Sequence, residues 1–349
     1  MSEHTENLEV SKQEQEVYDR QIRLWGIEAQ NKLRNAKALV IGGTQLGAEV
    51  AKTLSLAGVD ELHLVDHRLV DESEIGSNFL FDASVDNTKL TKWAAARSFL
   101  TNLNRNVKLF VDENNFFEKS DLDIETYIKR FTIVIILDQS YDHIVKLNEI
   151  CRKNKVRFMA GAIFGWVGYT FLDFNGHKFL TKPENPSFPV ICYEEKVKNV
   201  TDIDDDQLVL KEYSYPSFVE AFNSNFSAKK ILRKCKRLVP SSYFLVKSML
   251  TASKENKLTG DLAEDIEAIL PIWEKEVVAG NHILEDQVVQ PYKFDHLFGP
   301  DFIPTTACVG GVIGQEAIKA ISEAENPLRT IFIYSAFDST GITCNFPLA

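Results

Sequence analysis

Short apolar runs of strand length alternate with helix-spaced stretches over most of the chain. The runs are Ala38-Leu-Val-Ile41, Leu62-His-Leu-Val65, Val107–Val111 and Phe131–Leu137. The last is continuously apolar, as a strand covered on both faces requires. Between the first two, Val50, Leu54, Leu56 and Ala57 recur at helical spacing, and residues 87–103 and 143–154 read as further helices. Strand, glycine-rich turn, helix, strand is the opening of a parallel α/β sheet. Arg157–Phe174 offers two more strands, broken at Gly161, Gly165 and Gly168. A helical pattern precedes all of these, running from Val17 through Ile22, Leu24, Trp25, Ile27, Ala29 and Leu33, and residues 1–15 read as a flexible tail.

The pattern changes near Gly176. Residues 176–216 hold Pro183, Pro186, Pro189 and Pro216 and the acids Asp202 and Asp204–Asp206, and residues 217–285 read as amphipathic helix. Alternation returns near Pro304, where Val309-Gly-Gly-Val-Ile-Gly314 leads a helix to Ile321 and a strand follows at Thr330–Ser335. The expected fold is α/β, a Rossmann-like doubly wound sheet interrupted by a mixed, largely helical insertion. Its divisions are a tail over 1–15, α/β over 16–175, the insertion over 176–290 and α/β again over 291–349.

A length of 349 residues suits one large domain with an insertion, or two domains. With 50 acidic against 39 basic residues the net charge is −11, which argues against a broad nucleic-acid-binding face. No apolar run is long enough for a bilayer, and the polar opening lacks a secretory signal, so no membrane contact is expected. The five cysteines, Cys151, Cys192, Cys235, Cys308 and Cys344, include no C-x-x-C pair, and the histidines do not cluster. A zinc site built by this chain alone and a disulfide framework are therefore not expected, and a reducing compartment is. Cys151 falls on an apolar helix face; Cys192 and Cys235 are the cysteines free to carry a thioester. Lys229–Arg237 packs six cations into nine residues. It reads as an import or nucleic-acid patch, or as the solvated side of a helix whose apolar side is Ile231, Leu232, Cys235, Leu238 and Val239.

Gly42-Gly-Thr-Gln-Leu-Gly47 follows the first strand, and Asp66 ends the second, 24 residues beyond Gly42. A helix that starts after such a turn offers free N–H groups to phosphate, and a carboxylate at the next strand end can hold ribose hydroxyls. The middle glycine is replaced by Thr44, whose Cβ would crowd a pyrophosphate. Two readings stand: a nucleotide site, or a tight turn kept for helix–sheet packing.

Tyr18-Asp-Arg-Gln-Ile-Arg-Leu-Trp-Gly26 is more specific. It resembles the opening helix of the activating enzymes for ubiquitin and ubiquitin-like proteins. Ala38–Glu49, Leu64-Val-Asp66, Gly76–Phe81 and Val309–Glu316 resemble later parts of the same family, so the likeness spans roughly 17–175 and 295–345. It implies an adenylation-type fold and, from the length and the spelling of the first helix, the small non-catalytic subunit of a heterodimer. The larger partner would carry ATP with magnesium, the thioester cysteine and a zinc site. A SUMO-type modifier would be handled through the complex, and the nucleus is the implied location.

Within that likeness the loop after the second strand departs. Asp66-His67-Arg68 keeps the first acid and puts Arg68 where a second belongs, and Gly76 and Ser77 stand where an Asn and an Arg would grip phosphates. Gly and Ser supply no charge for that task. The resemblance thus implies a degenerate nucleotide site of Gly42, Gly47, Asp66 and Lys89, with Lys89 in the place of the phosphate lysine and Asp138 in that of a metal-binding acid. A solvated lysine and a strand-end cap are the alternatives. Arg20 matches the arginine that reaches across the dimer to partner-bound ATP; a surface ion pair with Asp19 or Glu16 is its alternative, and Arg23 reads as structural. Three other functions remain open at this point: the small subunit for another ubiquitin-like modifier, a self-sufficient adenylating enzyme favoured by Lys89 and Asp138, and a dinucleotide-dependent oxidoreductase.

Overall fold

Two central strands, β1 (Lys37–Ile41) and β4 (Ile133–Leu137), have nearly all their residues buried, because Ile, Val and Leu on both faces meet helices on both faces. They belong to an eight-stranded sheet in the computed structural model, which describes residues 11–181, 196–198, 209–223, 239–279 and 294–345. The other strands are β2 (Glu61–Val65), β3 (Lys108–Asp112), β5 (Arg157–Phe164), β6 (Val167–Asp173), β10 (Ile331–Ser335) and β11 (Thr340–Cys344). Their order is β11-β10-β6-β5-β4-β1-β2-β3, parallel from β5 to β3 and antiparallel from β5 to β11. Strands β7 (Gly176–Thr181), β8 (Lys196–Lys198) and β9 (Val209–Ser214) form a second, antiparallel sheet in the order β7-β9-β8.

On one face of the large sheet lie α3 (Ile27–Arg34), α4 (Gln45–Ala57), α5 (Lys92–Leu103) and the late glycine-rich helix α12 (Ile303–Ser322). On the other lie α6 (Asp121–Ile128), α7 (Tyr141–Lys153), α8 (Phe218–Phe222), α9 (Ser241–Lys254) and α10 (Leu262–Ala279), with the short α11 (Asp295–Phe298) beyond α10. This is the doubly wound α/β arrangement expected from the alternation of runs.

The opening helix differs from the expected single run. Ser11 caps α1 (Lys12–Val17) in a reciprocal capping box with Glu14, so residues 12–15 are helical where a flexible tail was expected. The chain then turns into α2 (Asp19–Trp25) and breaks at Gly26, whose φ of 87° is left-handed. Tyr18, between α1 and α2, is 2% exposed and its hydroxyl accepts a 2.9 Å bond from Asn104 Nδ2. A chain of ion pairs, Glu14–Arg34 at 2.7 Å, Arg34–Asp60 at 2.8 Å and Lys108–Asp60 at 2.9 Å, ties α1 to the start of β3.

Tyr215 and Phe218, described residues of the segment 176–290, are tied to α7 by a network around one buried carboxylate. Asp173 accepts from Asn148 Nδ2 at 2.8 Å and from Arg152 Nη1 at 2.7 Å, Arg152 also donates to Tyr215 O, and Asn148 Oδ1 accepts from Phe218 N–H. Pro183, Pro186, Pro189, Asp202, Asp204–Asp206, Cys192 and the run Lys229–Arg237 with Cys235 lie outside the described residues. Among the described residues no helix is long and apolar enough to cross a membrane.

His177 on β7 is 2% exposed and stacks on Phe179, with Phe174 edge-on. Burial, helped by the charge of Arg157, lowers its pKa to about 4. A depressed folded value means stability that is complete above the ordinary 6.5 and is lost as pH falls toward 4, about 3 kcal/mol in all. Denaturant titrations at pH 7 and near pH 4.5 are expected to show that loss in the native chain and little of it in His177→Phe.

Candidate functional site

The carboxyl ends of β1, β2 and β4 meet the first turn of α4, where an open α/β sheet places its ligand. The glycines there are set by packing. A Cβ on Gly42 (φ 116°) would lie 2.3 Å from Leu137 O, and one on Gly47 2.1 Å from Gly42 O. One on Gly43 would lie 2.7 Å from Lys92 Cβ. Each clash is with atoms of the chain itself, so the turn needs its glycines with no ligand present.

Asp66 sits at the end of β2 with its side chain 2% exposed. Its carboxylate accepts from Gly43 N at 2.6 Å, Arg68 N at 2.9 Å, Arg68 Nε at 3.0 Å and Arg68 Nη2 at 2.7 Å. Burial alone would raise its pKa; the guanidinium and the two backbone N–H groups outweigh it and hold the carboxyl below its ordinary value. Asp138 has a left-handed φ of 50° and takes Ile163 N–H at 3.0 Å and the hydroxyl of Thr44. Thr44 in turn caps α4, its Oγ1 lying 3.4 Å from Gly47 N. A carboxylate is thereby held at the helix N-terminus, where a phosphate would otherwise bind. Burial pushes the Asp138 acid up, against Thr44, Ile163 and the nearby Arg68 and Lys92.

Lys92, 8% exposed at the start of α5, lies against Gly43 and pairs with Glu74 at 2.7 Å. Lys89 is exposed and makes no bond among the described residues. The lysine at this turn is therefore Lys92, not Lys89 as the sequence suggested: α5 begins only at Lys92, and Lys89 precedes it in an irregular loop. Half-buried Asp301, ahead of α12, faces the same cluster; burial and the charges of Asp138 and Glu74 push it up to about 7. Gly76 is left-handed with open space around it, and the Ser77 hydroxyl bonds back to Ser73 O and Glu74 O. The loop is a local turn, and no cation stands at those two positions.

The structure brings Gly42, Gly47 and Asp66 together and leaves Lys89 and Arg20 outside. Arg20 is exposed and makes no bond among the described residues. Asp19, its possible surface partner, instead holds Arg23 at 3.1 Å. The neighbouring Gln21 donates to Leu56 O, at the end of α4 opposite the glycine turn. Reading the sequence identified Asp66 and Asp138 but missed how each is answered: Arg68 at i+2 and Thr44 in the turn were noted only as departures. Lys92 and Asp301 were missed, and Asp301 has no local signal beyond following a Gly-Pro turn.

A cavity of about 250 Å³ flanks Asp66, bounded by His67, Arg68, Phe117, Gln139 and His143, with the last aromatic pair stacked at 3.7 Å. It lies beside the carboxyl end of β2, where such a fold can hold a nucleoside, but the polar groups beside it do not fit one. Asp66 already accepts four N–H bonds, Lys92 is taken by Glu74, and Thr44 at the α4 terminus is held by Asp138.

The chain matches the ThiF family model over residues 18–348. It is 64% identical over 346 residues to the SUMO-activating enzyme subunit aos-1 of Caenorhabditis elegans, covering 97% of this chain and 99% of that one. It is 33% identical over 347 residues to SUMO-activating enzyme subunit 1 of Bos taurus, covering 95% of each. Among solved structures, PaaA has the same fold, with a TM-score of 0.55 at 14% identity, over 99% of this chain and 77% of that one.

Arg68→Met leaves Asp66 buried without its cation. The expected loss is about 2 kcal/mol in denaturant unfolding at pH 7, with the Asp66 carboxyl titrating higher by carbon NMR. Asp66 in the native chain contributes stability above its ordinary 3.8 that is lost as pH falls through its depressed value. The variant should lack that acid-side loss.

Proposed function

Because the chain belongs to the ThiF family, together with the SUMO-activating enzyme subunit 1 proteins, we propose that it is the small, non-catalytic subunit of a heterodimeric SUMO-activating enzyme. The complex uses ATP as a substrate. It converts the modifier's C-terminal carboxylate, a poor acyl donor, into an acyl-adenylate with release of pyrophosphate. The acyl group then passes to a cysteine thiolate of the larger partner, with AMP as the leaving group; that partner holds ATP with magnesium and the zinc site. Residence in the nucleus is part of the same proposal.

The observation that carries this division of labour is the closure of Asp66 by Arg68. The carboxylate that would hold ribose hydroxyls is neutralised within the chain, two residues away. That weighs equally against a dinucleotide-dependent oxidoreductase, which needs the same carboxylate. It also weighs against a self-sufficient adenylating enzyme. Of the two residues that favoured one, Lys89 is exposed and without a bond among the described residues, and Asp138 is engaged by Thr44 and Ile163.

Arg20 is proposed to act in trans on the phosphates of partner-bound ATP. What supports it is a guanidinium on an exposed helix face, free of carboxylate partners among the described residues while its neighbour Arg23 is paired. A planar, permanently charged fork suits a departing pyrophosphate. In the purified heterodimer, Arg20→Ala is expected to leave assembly intact and slow ATP–pyrophosphate exchange by about 10²-fold, with partial recovery in Arg20→Lys. Calorimetry should find one ATP per heterodimer and none on the isolated chain; ATP binding to that chain would overturn the reading.

A further inference from the structure

Strand β3 is the outer edge of the large sheet, and its exposed side has both unpaired backbone and an unanswered charge. Lys108 N donates to Asp60 O and Asp112 O accepts from Asp66 N, so Lys108, Phe110 and Asp112 turn their backbone inward toward β2. In a parallel ladder the alternate residues face the other way, so the N–H and C=O groups of Leu109 and Val111 point outward, without partners among the described residues. Beside this edge, between the sheet and the end of α6, lies a cleft of about 410 Å³ lined by Lys37, Glu61, His63, Phe110, Tyr127 and Arg130 among others. It lies at the amino ends of β1 and β2, opposite the glycine turn.

The charges of the cleft are answered, except one. Glu61 holds Lys37 at 2.7 Å and His63 Nε2 at 2.8 Å, and Asp112 holds Lys119 at 2.9 Å. Arg130 has no carboxylate among the described residues. Its guanidinium lies 4.1 Å above the Tyr127 ring and 5.0 Å from that of Phe131, with Nη2 3.5 Å from His63 Nδ1. Stacking fixes its plane while leaving donors open to a carboxylate. Phe110, stacked on His63 at 4.4 Å and 45% exposed, supplies a flat apolar floor.

We propose that this edge binds an extended segment of a partner protein that adds as a strand alongside β3 and places an Asp or Glu side chain on Arg130. The main-chain groups of Leu109 and Val111 give the added strand its register, and Arg130 selects an acidic residue on the face shared with Phe110. The choice of an acidic peptide rests on charge: Lys37 answers Glu61 and Lys119, from beside the cleft, answers Asp112, which leaves the positive charge of Arg130 in excess.

The test titrates the full-length chain at low salt with a labelled, end-blocked peptide of valine–glutamate repeats, and with its valine–glutamine counterpart. The expected result is about tenfold tighter binding of the glutamate probe and loss of that preference in Arg130→Gln, an exposed position where folding is not at stake. Val111→Pro, which removes an outward N–H from an edge strand, should weaken both probes. Hydrogen exchange should slow at Leu109 and Val111 when the glutamate probe binds. An Arg130→Gln chain that keeps the preference, unchanged exchange over 108–112, or no binding of either probe overturns the proposal. A chain lacking residues 1–10 that binds the probe much more tightly overturns the assignment to a partner and makes the chain's own acidic start the occupant.

Discussion

Helices α4 and α12 approach so closely that their contact has no room for side chains on one of them. A Cβ on Gly310 would lie 2.5 Å from Glu49 Cβ, and one on Gly314 2.5 Å from Thr53 Cγ2. The contact joins residues about 260 positions apart, so it fixes how the last part of the chain returns over the first, across the whole insertion. It also sets β10 and β11, which follow α12, on the antiparallel side of the sheet. Small residues here let dispersion contacts form along the full helix–helix seam, and a single added methylene would open it. With α12 seated, Asp301 just ahead of it is held near the carboxyl ends of the strands.

The same tightness explains why the Rossmann-like turn keeps its glycines whatever lies above it. Gly42 and Gly47 are required by Leu137 O and by Gly42 O, contacts of the backbone itself. Of the polar groups above the turn, three are answered internally. Arg68 closes Asp66, Thr44 and Ile163 close Asp138, and Glu74 closes Lys92. Buried charges without a ligand must be paired or neutralised, and an arginine two residues beyond the strand-end acid is an economical way to do it. The shape of the turn and the polar chemistry above it are separable because different atoms of the same turn serve them.

How much of this was legible follows from which interactions are local. β4 was readable because burial on both faces forces an unbroken apolar run, Phe131–Leu137, and the helix around Val309–Ile321 because its periodicity is long. The break of the opening helix at Gly26 was not, because the apolar spacing continues across it; only the left-handed φ at that glycine ends α2. At the site, Asp66 was found from spacing along one strand–turn–helix unit. Lys92 was not, since choosing between it and Lys89 depends on where α5 starts, and helix starts are the least determined part of a pattern. The Thr44–Asp138 bond spans 94 residues and leaves no trace in either local sequence.

Self-sufficiency of the internal charges has a consequence for the surface. Once Asp66, Asp138 and Lys92 are engaged within the chain, chemistry directed at another molecule falls to groups that the fold leaves unanswered. Among the described residues Arg20 and Arg130 are two of the guanidiniums that meet that condition, in different ways. Arg20 stands clear on an exposed helix whose other arginine is already paired. Arg130 is stacked on Tyr127 over a sheet edge whose own acids are taken. The two lie on elements that meet different parts of the sheet: α2 rests on the far end of α4, and Arg130 follows α6 on the opposite face. Of the two, Arg130 is held in its plane by packing within the chain, which does not depend on any molecule it meets.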